Sequence, residues 1–408
     1  MRCDSSLRSL GTPQVTSIAV AQAVLLVILI ATTAANYRID SVDTSQPLGG
    51  DFLQDWIGGH VVASGNVHQL YDPAFTDDLQ HDRGLIGFEW SSTGYFPMIY
   101  PPVWYAAVSP LSHIPYRTAC VLWLVLLTAS FPTIAFLMHR RLRVPGGMVV
   151  IYFIVLMLFP PVMQSLIMGQ KSLIWLTIWV ATFALLHQHR DASAGIVFGL
   201  MLMKPIMVPV MIGTMILHRR WRFVVAAAGS ALMIGGVSLV AVPPSVWLQY
   251  FKVAAGAGSY HQTGGYDFQL AQNIGALLLP VVGQYRAVYW TLFLALGIIV
   301  VILMSRLIKT NRRVSTTCDE SRLWLAIIAG TILLSPHFFA YDLAILALLP
   351  VVFAVNGEVK QAFPCIAACF LLTTVGPMMT QAVGVSIMPV FLIVLLAVFK
   401  HQRISFFV

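Results

Sequence analysis

Charge is what this 408-residue sequence has least of, since only 10% of its residues are Asp, Glu, Lys or Arg. So little charge cannot clothe a water-soluble surface, and with 58% hydrophobic residues and a mean hydropathy of +0.81 a soluble domain is excluded. Cysteine is scarce too. The five, Cys3, Cys120, Cys318, Cys365 and Cys369, fall in apolar runs or near basic termini and loops, so neither a disulfide framework nor a zinc pattern follows. Cys365 and Cys369, four residues apart, read as small packing residues. His60, His68 and His81 share a loop with several aspartates without a metal-ligand spacing, and neither a P-loop nor a nucleophile elbow is present, so metal, ATPase and hydrolase chemistry find no support. Internal repeats and low-complexity linkers are missing, and residues 37–100, the longest polar stretch, hold too few apolar residues for a core of their own. The chain therefore reads as a single integral membrane domain over 1–408.

What is there instead is a succession of apolar runs. A hydrocarbon core of about 30 Å takes about 20 apolar residues per helix, and lipid-exposed backbone must be satisfied within helices. The expected spans are 15–36, 116–138, 147–161, 171–187, a hairpin at 193–217, 223–242, 287–305, 323–335, 338–355, 361–377 and 382–399. With the hairpin counted twice, this is an all-α polytopic bundle of about 12 transmembrane passes with both termini inside. The first run is too long for a cleaved signal and is read as a retained span. Pro101 to Ser112 is too short to span and is expected to lie at the outer surface or dip into it.

The net charge of +8 and pI near 9.4 reflect topology rather than a nucleic-acid partner. Basic clusters at His139–Arg143, His218–Arg222 and Arg306–Arg322, with Lys400 and Arg403, punctuate the runs and belong on the cytoplasmic side. Arg38, Arg83, Arg117, Lys171, Lys204, Lys252 and Arg286 are left outside. The same assignment makes 37–115 a large first extracytoplasmic loop and 243–286 a second, and most of the acids lie in these two segments.

The first outer loop opens with Gly49-Gly50-Asp51-Phe52-Leu53-Gln54-Asp55-Trp56. A carboxylate where membrane meets water is partly desolvated, which raises its proton affinity and suits it to take a proton from a hydroxyl. On a helix Asp51 and Asp55 share one face, so either can be the base and the other its orienting partner. Tyr100, before Pro101 and Pro102, has a restricted backbone that can present its ring or hydroxyl to a sugar or serve as an interfacial anchor. Lys204 and His337 sit beside prolines in otherwise apolar stretches, and Lys171, Arg286 and His261 approach the same interface. Trp56, Trp90, Trp104 and Trp247 read by default as belt residues. The Gly256 to Gly275 segment, with Tyr260 and His261, has the composition of an acceptor or lid loop.

In order along the chain stand Asp51, Gly65 through Leu70-Tyr71-Asp72, Tyr100-Pro101-Pro102, Gly169-Gln170-Lys171-Ser172, Lys204-Pro205, Gln272-Asn273-Ile274-Gly275 and Ser335-Pro336-His337. This order resembles glycosyltransferase family 87, the polyprenol-phosphate-mannose-dependent mannosyltransferases of the GT-C superfamily. The chain departs from the family's usual Gly-Gln-x-Asn and Gln-Ser pairs, which bears on the sugar more than on the reaction. The resemblance implies a GT-C bundle in the cell membrane, working without metal or other cofactor on its extracytoplasmic face. Its donor would be a polyprenyl-phosphate sugar, mannose or another hexose, and its acceptor a hydroxyl of a lipid or glycan. Asp51 would be the general base, supported by Asp55 and Tyr100. Lys204, His337 and Lys171 would hold the donor phosphate, with Tyr260, His261, Gln272 and Asn273 on the acceptor or lid side. The alternative of another class is a transporter or flippase of lipid-linked sugars, which would concentrate polar residues on broken helices at mid-membrane.

Overall fold

The computed structural model describes residues 47, 49–91, 94–256, 271–311, 317–335 and 337–398. The first expected span, and Tyr260 and His261, lie outside the described residues. Within them the chain is helical throughout, and the ordered elements are helices joined by short turns.

The outer loop contributes α1 (Phe52–Ala63), α2 (Pro73–His81) and α3 (Pro102–Val108). Pro101 and Pro102 fix the start of α3, which runs into a 3-10 turn over Ser109–His113, so the stretch is a short helix, as its length predicts. Helix α1 is buried almost all round and packs on α3. Trp56, Trp90 and Trp104 correct the belt reading. All three are buried, and their indole N–H groups donate to Leu111 O, Gln80 O and the Asp55 carboxylate. A buried indole N–H needs such an acceptor, and here the acceptors lie inside the loop.

The bundle follows: α4 (Tyr116–Arg141), α5 (Gly146–Leu158), α6 (Pro160–Ile167), α7 (Ser172–His187), α8 (Asp191–Gly199), α9 (Pro209–Leu217) and α10 (Trp221–Ser238). Then come α11 (Pro244–Gly256), α12 (Ile274–Val282), α13 (Arg286–Asn311), α14 (Thr317–Leu334), α15 (Leu348–Val355), α16 (Val359–Val383) and α17 (Met388–Val398). Among the described residues three helices are long and apolar enough to cross a membrane by themselves, Tyr116–Arg141, Trp221–Ser238 and Ala287–Leu307. A fourth is added if α5 and α6, bent by 56° at Phe159-Pro160, count as one span. Full-length spans among the described residues are thus fewer than the about 12 passes expected from apolar runs; the other apolar helices are short or broken.

The hairpin at 193–217 explains part of that difference. Helices α8 and α10 run parallel, with Ser230 Oγ donating to Ile196 O at 2.9 Å and Gly195 and Gly199 set against Phe223, Ala226, Ala227 and Ser230. Two glycines four apart let the backbones approach, a common way to pack helices in lipid. The chain must return through α9 to reach the start of α10, and Arg220 pairs with Asp191 at 3.6 Å across the base. The limbs, Asp191–Met203 and Pro205–Leu217, each reach only about 20 Å by helical rise. The hairpin therefore turns back at Lys204, and neither limb by itself reaches across a hydrocarbon core of about 30 Å.

The two ends of the bundle differ in chemistry. At one, Gln188 donates to Arg141 O at 2.9 Å, His187 pairs with Glu320 at 3.0 Å and Asn356 donates to Ser321 at 3.0 Å, gathering the loops that carry the basic clusters. At the other lie Asp51, Lys171, Lys204 and the Ser335–Asp342 segment.

Candidate active site

Two glycine turns build this second end. Gly50 (φ +52°) and Gly169 (φ +63°) are left-handed, and a Cβ on Gly50 would stand 2.7 Å from Met168 O. Asp51 N–H donates to that same carbonyl at 2.9 Å, and Trp123 Nε1 donates to Gly169 O at 2.8 Å. Only glycine takes this conformation without strain while letting the two backbones touch. The contact sets the start of α1 against the start of α7, and hence Asp51 and Asp55 against Lys171.

Lys171 and Asp55 are both fully buried. The ammonium donates to the two carboxylate oxygens at 2.8 and 2.7 Å, and Trp104 Nε1 adds a third bond at 2.7 Å. The Tyr100 ring covers Lys171 Nζ at 3.6 Å to its centroid. Tyr100 is itself held by Tyr71, whose hydroxyl donates to Tyr100 O at 2.7 Å. Asp55 is thus the partner of a lysine, which separates its role from that of Asp51.

A second pair lies beside the first. The 3-10 turns around Lys204 stop at it because Pro205 follows, and its backbone (φ −137°, ψ 70°) is non-helical. Its ammonium pairs with Asp342, which also accepts from Ser172 Oγ at 3.3 Å and from Phe339 N–H at 3.4 Å. Asp342 is buried in the first turn of a 3-10 helix over Ala340–Ala347, just beyond the Ser335–Phe339 break. Sequence reasoning missed this residue. The signal was available, because a lone acid within an apolar run is costly unless a partner is built for it.

Asp51 is the third carboxylate. It is buried, yet its side chain caps no helix N–H and takes no hydrogen bond from the described residues. Burial pushes its carboxyl up to about 7, with Lys171 opposing, Asp55 and Asp342 reinforcing and Lys204 opposing. Asp51 thus lies within the field of both ion pairs.

Gln272 and Asn273 tie the Ser335–Phe339 break in place. Gln272 N–H donates to Phe338 O at 2.6 Å, Ser386 Oγ donates to Gln272 Oε1 at 3.0 Å, and Asn273 Nδ2 donates to Ser335 O at 2.8 Å. Asn273 Oδ1 caps α12 through Ala276 N–H at 2.8 Å. His337 is half-buried in the same break. Among the described residues no group of three or more His, Cys, Asp or Glu is arranged to hold a metal ion.

By helical rise, α7 and α14 set Lys171 and Ser335 some 24–27 Å from the basic end, and the hairpin sets Lys204 about 20 Å from it. These depths fall within a hydrocarbon core of about 30 Å. Such an architecture, with its ionised groups gathered at helix breaks toward one end, is that of an integral membrane protein with a recessed polar site. The model of Glycosyltransferase family 87 matches residues 98–336, more than half of the chain, and the protein belongs to that family. It is a membrane glycosyltransferase, as the ordered motifs predict. The matched stretch holds Tyr100, Lys171, Lys204, Gln272 and Asn273, while Asp51 and Asp55 precede it and His337 and Asp342 follow it. No curated protein and no solved structure matches the chain.

Proposed function

We propose that the protein moves a sugar, mannose or another hexose, from a polyprenyl-phosphate donor to a hydroxyl of a lipid or glycan acceptor, with Asp51 as general base. The observation that carries this reading is the inequality of the three carboxylates. Asp55 and Asp342 are each committed to a lysine, and Asp51 takes no side-chain hydrogen bond or ion pair among the described residues. An unpaired, desolvated carboxylate with its proton affinity raised to about 7 is tuned to accept a proton near neutral pH.

In the reaction the acceptor O–H proton passes to the Asp51 carboxylate and the oxygen forms a bond to the anomeric carbon. The bond from that carbon to the phosphate oxygen breaks on the opposite face, its electron pair leaving with the polyprenyl phosphate, and the anomeric centre inverts. Lys204 and His337 would face the departing phosphate, where a well-placed cation is worth about 3 kcal/mol to a developing oxyanion, whereas Lys171, which the sequence also suggests for that role, is enclosed by Asp55 and the Tyr100 ring. A recessed site suits a donor whose tail lies in lipid. The basic loops gathered at the opposite end support an extracytoplasmic site, in keeping with a GT-C enzyme.

A transporter of lipid-linked sugars would need a polar route between the two ends. Toward the basic end the core is built instead from Trp179, Phe183, Phe198 and Trp324, all buried and in edge-on contact. The test is purified Asp51→Asn, which keeps the shape and removes the base. Transfer should fall by about 10²- to 10⁴-fold, and a variant with undiminished transfer would end this assignment.

A further inference from the structure

The two lysines are not equivalent, and their difference assigns a role to Asp342. Lys171 has its ammonium enclosed, with both oxygens of Asp55 in hydrogen-bonding range, the Tyr100 ring at 3.6 Å and the Trp104 ring at 5.1 Å. Lys204 has one hydrogen-bond partner among the described residues, Asp342, and the edge of its environment is the Tyr341 ring at 5.9 Å. An ammonium carries three N–H donors, so Lys204 retains donors for an incoming anion. It also stands on non-helical backbone, at the tip of the hairpin. Asp342 makes up for that. Its carboxylate joins three separate chain breaks: the hairpin tip through Lys204, the start of α7 through Ser172 Oγ, and the Ser335–Phe339 break through Phe339 N–H.

We propose that Asp342 is a positioning residue for sugar transfer, holding Lys204 with its free N–H donors aimed at the departing lipid phosphate, while the Lys171–Asp55 pair is scaffold. This rests on the transferase reading. Asp342 does not touch substrate; it acts through Lys204. Because it also competes with phosphate for that cation, its loss separates binding from turnover.

The test uses the full-length protein in lipid nanodiscs. In Asp342→Asn, kcat should fall about 10-fold or more, while KM for the polyprenyl-phosphate sugar stays level or drops. Asp342→Glu should recover part of kcat. The reversed pair, Lys204→Asp with Asp342→Lys, restores the buried ion pair and keeps thermal stability close to that of the parent, and its kcat should stay as low as that of Lys204→Met. A reversed pair with parental kcat would reduce the contact to scaffold and overturn the proposal, as would parental kcat in Asp342→Asn. A binding arm without turnover uses two probes, polyprenyl monophosphate and the uncharged polyprenol. Preference for the phosphate should vanish in Lys204→Met and persist in Asp342→Asn, and its persistence in Lys204→Met refutes the assignment. Failure of the parent protein to release lipid phosphate from any sugar donor would strike the transferase reading instead, leaving the binding arm to judge Lys204.

Discussion

The Lys171–Asp55 pair offers a test of the site's electrostatics that does not depend on knowing the sugar. Both side chains are fully buried, so removing one partner strands a charge with no water. The stranded group escapes by neutralising. For Lys171 left alone, giving up a proton at neutral pH from an ordinary value of 10.5 costs about 5 kcal/mol. For Asp55 left alone, taking one up from an ordinary value of 3.8 costs about 4 kcal/mol. Both figures agree with the ~3–5 kcal/mol found when one half of a buried pair is deleted. The signs with pH are opposite. In Asp55→Asn the unfolded chain binds the extra proton, so stability rises with pH by up to ~1.4 kcal/mol per unit. In Lys171→Met the folded protein binds the extra proton, so stability falls with pH at the same rate. The double variant should show neither slope and recover most of the loss. The assay is the unfolding midpoint of the purified variants across about two pH units around neutrality. Parallel slopes, or a single-variant loss under ~1 kcal/mol, would refute the reasoning and mean that water or Asp51 takes over the orphaned charge.

Asp51 as base fixes the pH profile: kcat/KM should climb as pH rises through about 7, where the carboxyl loses its proton, and a profile flat from about pH 5 to 9 would count against it. Gly169→Ala puts a side chain at φ +63° against Gly49, so thermal unfolding should report a loss of at least ~1–2 kcal/mol, with transfer reduced because Asp51 and Lys171 move apart. Trp104→Phe deletes a buried donor to Asp55 and should cost about 1–3 kcal/mol in the same measurement, more than the ring's small change in volume explains.

The apolar runs were legible because span boundaries follow from composition, and the helices fall close to where hydropathy puts them: 116–138 as Tyr116–Arg141 and 287–305 as Arg286–Asn311. What hydropathy does not carry is whether a run crosses. The 193–217 hairpin is apolar enough for two passes, yet Lys204-Pro205 breaks it into limbs of 13 residues each, shorter than a full span. The site was legible as separate pieces, since Asp51, Lys171 and Lys204 stand out as polar residues at apolar borders. Their pairing was not, because an ion pair between residues 116 or 138 positions apart has no trace in local spacing. Asp342 went unread for that reason: alone in an apolar run it has no motif, and only its contact with Lys204 gives it meaning.

That contact follows a wider pattern in which the charged groups of the cluster, Asp55 within α1 apart, sit at or just beyond places where a helix stops. Gly50 and Gly169 stop the backbone beside Asp51 and Lys171, Pro205 stops it at Lys204, and the Ser335–Phe339 break precedes Asp342. Non-helical backbone at membrane depth survives only when protein buries it and satisfies its polar groups. Here the breaks satisfy one another, through Asp51 N–H to Met168 O, Gln272 N–H to Phe338 O and Asn273 to Ser335 O. Once such breaks exist they supply the polar surroundings that make a buried carboxylate or ammonium tolerable, and the two ion pairs in turn hold the broken ends together. On this account the charges and the breaks form one cooperative unit, so loss of either lysine pair should loosen all of its turns at once. Amide exchange at Gly169, Lys204 and Phe339 should then rise together in Asp55→Asn. Faster exchange confined to the turns around Gly50 and Gly169 would show that the breaks are held independently.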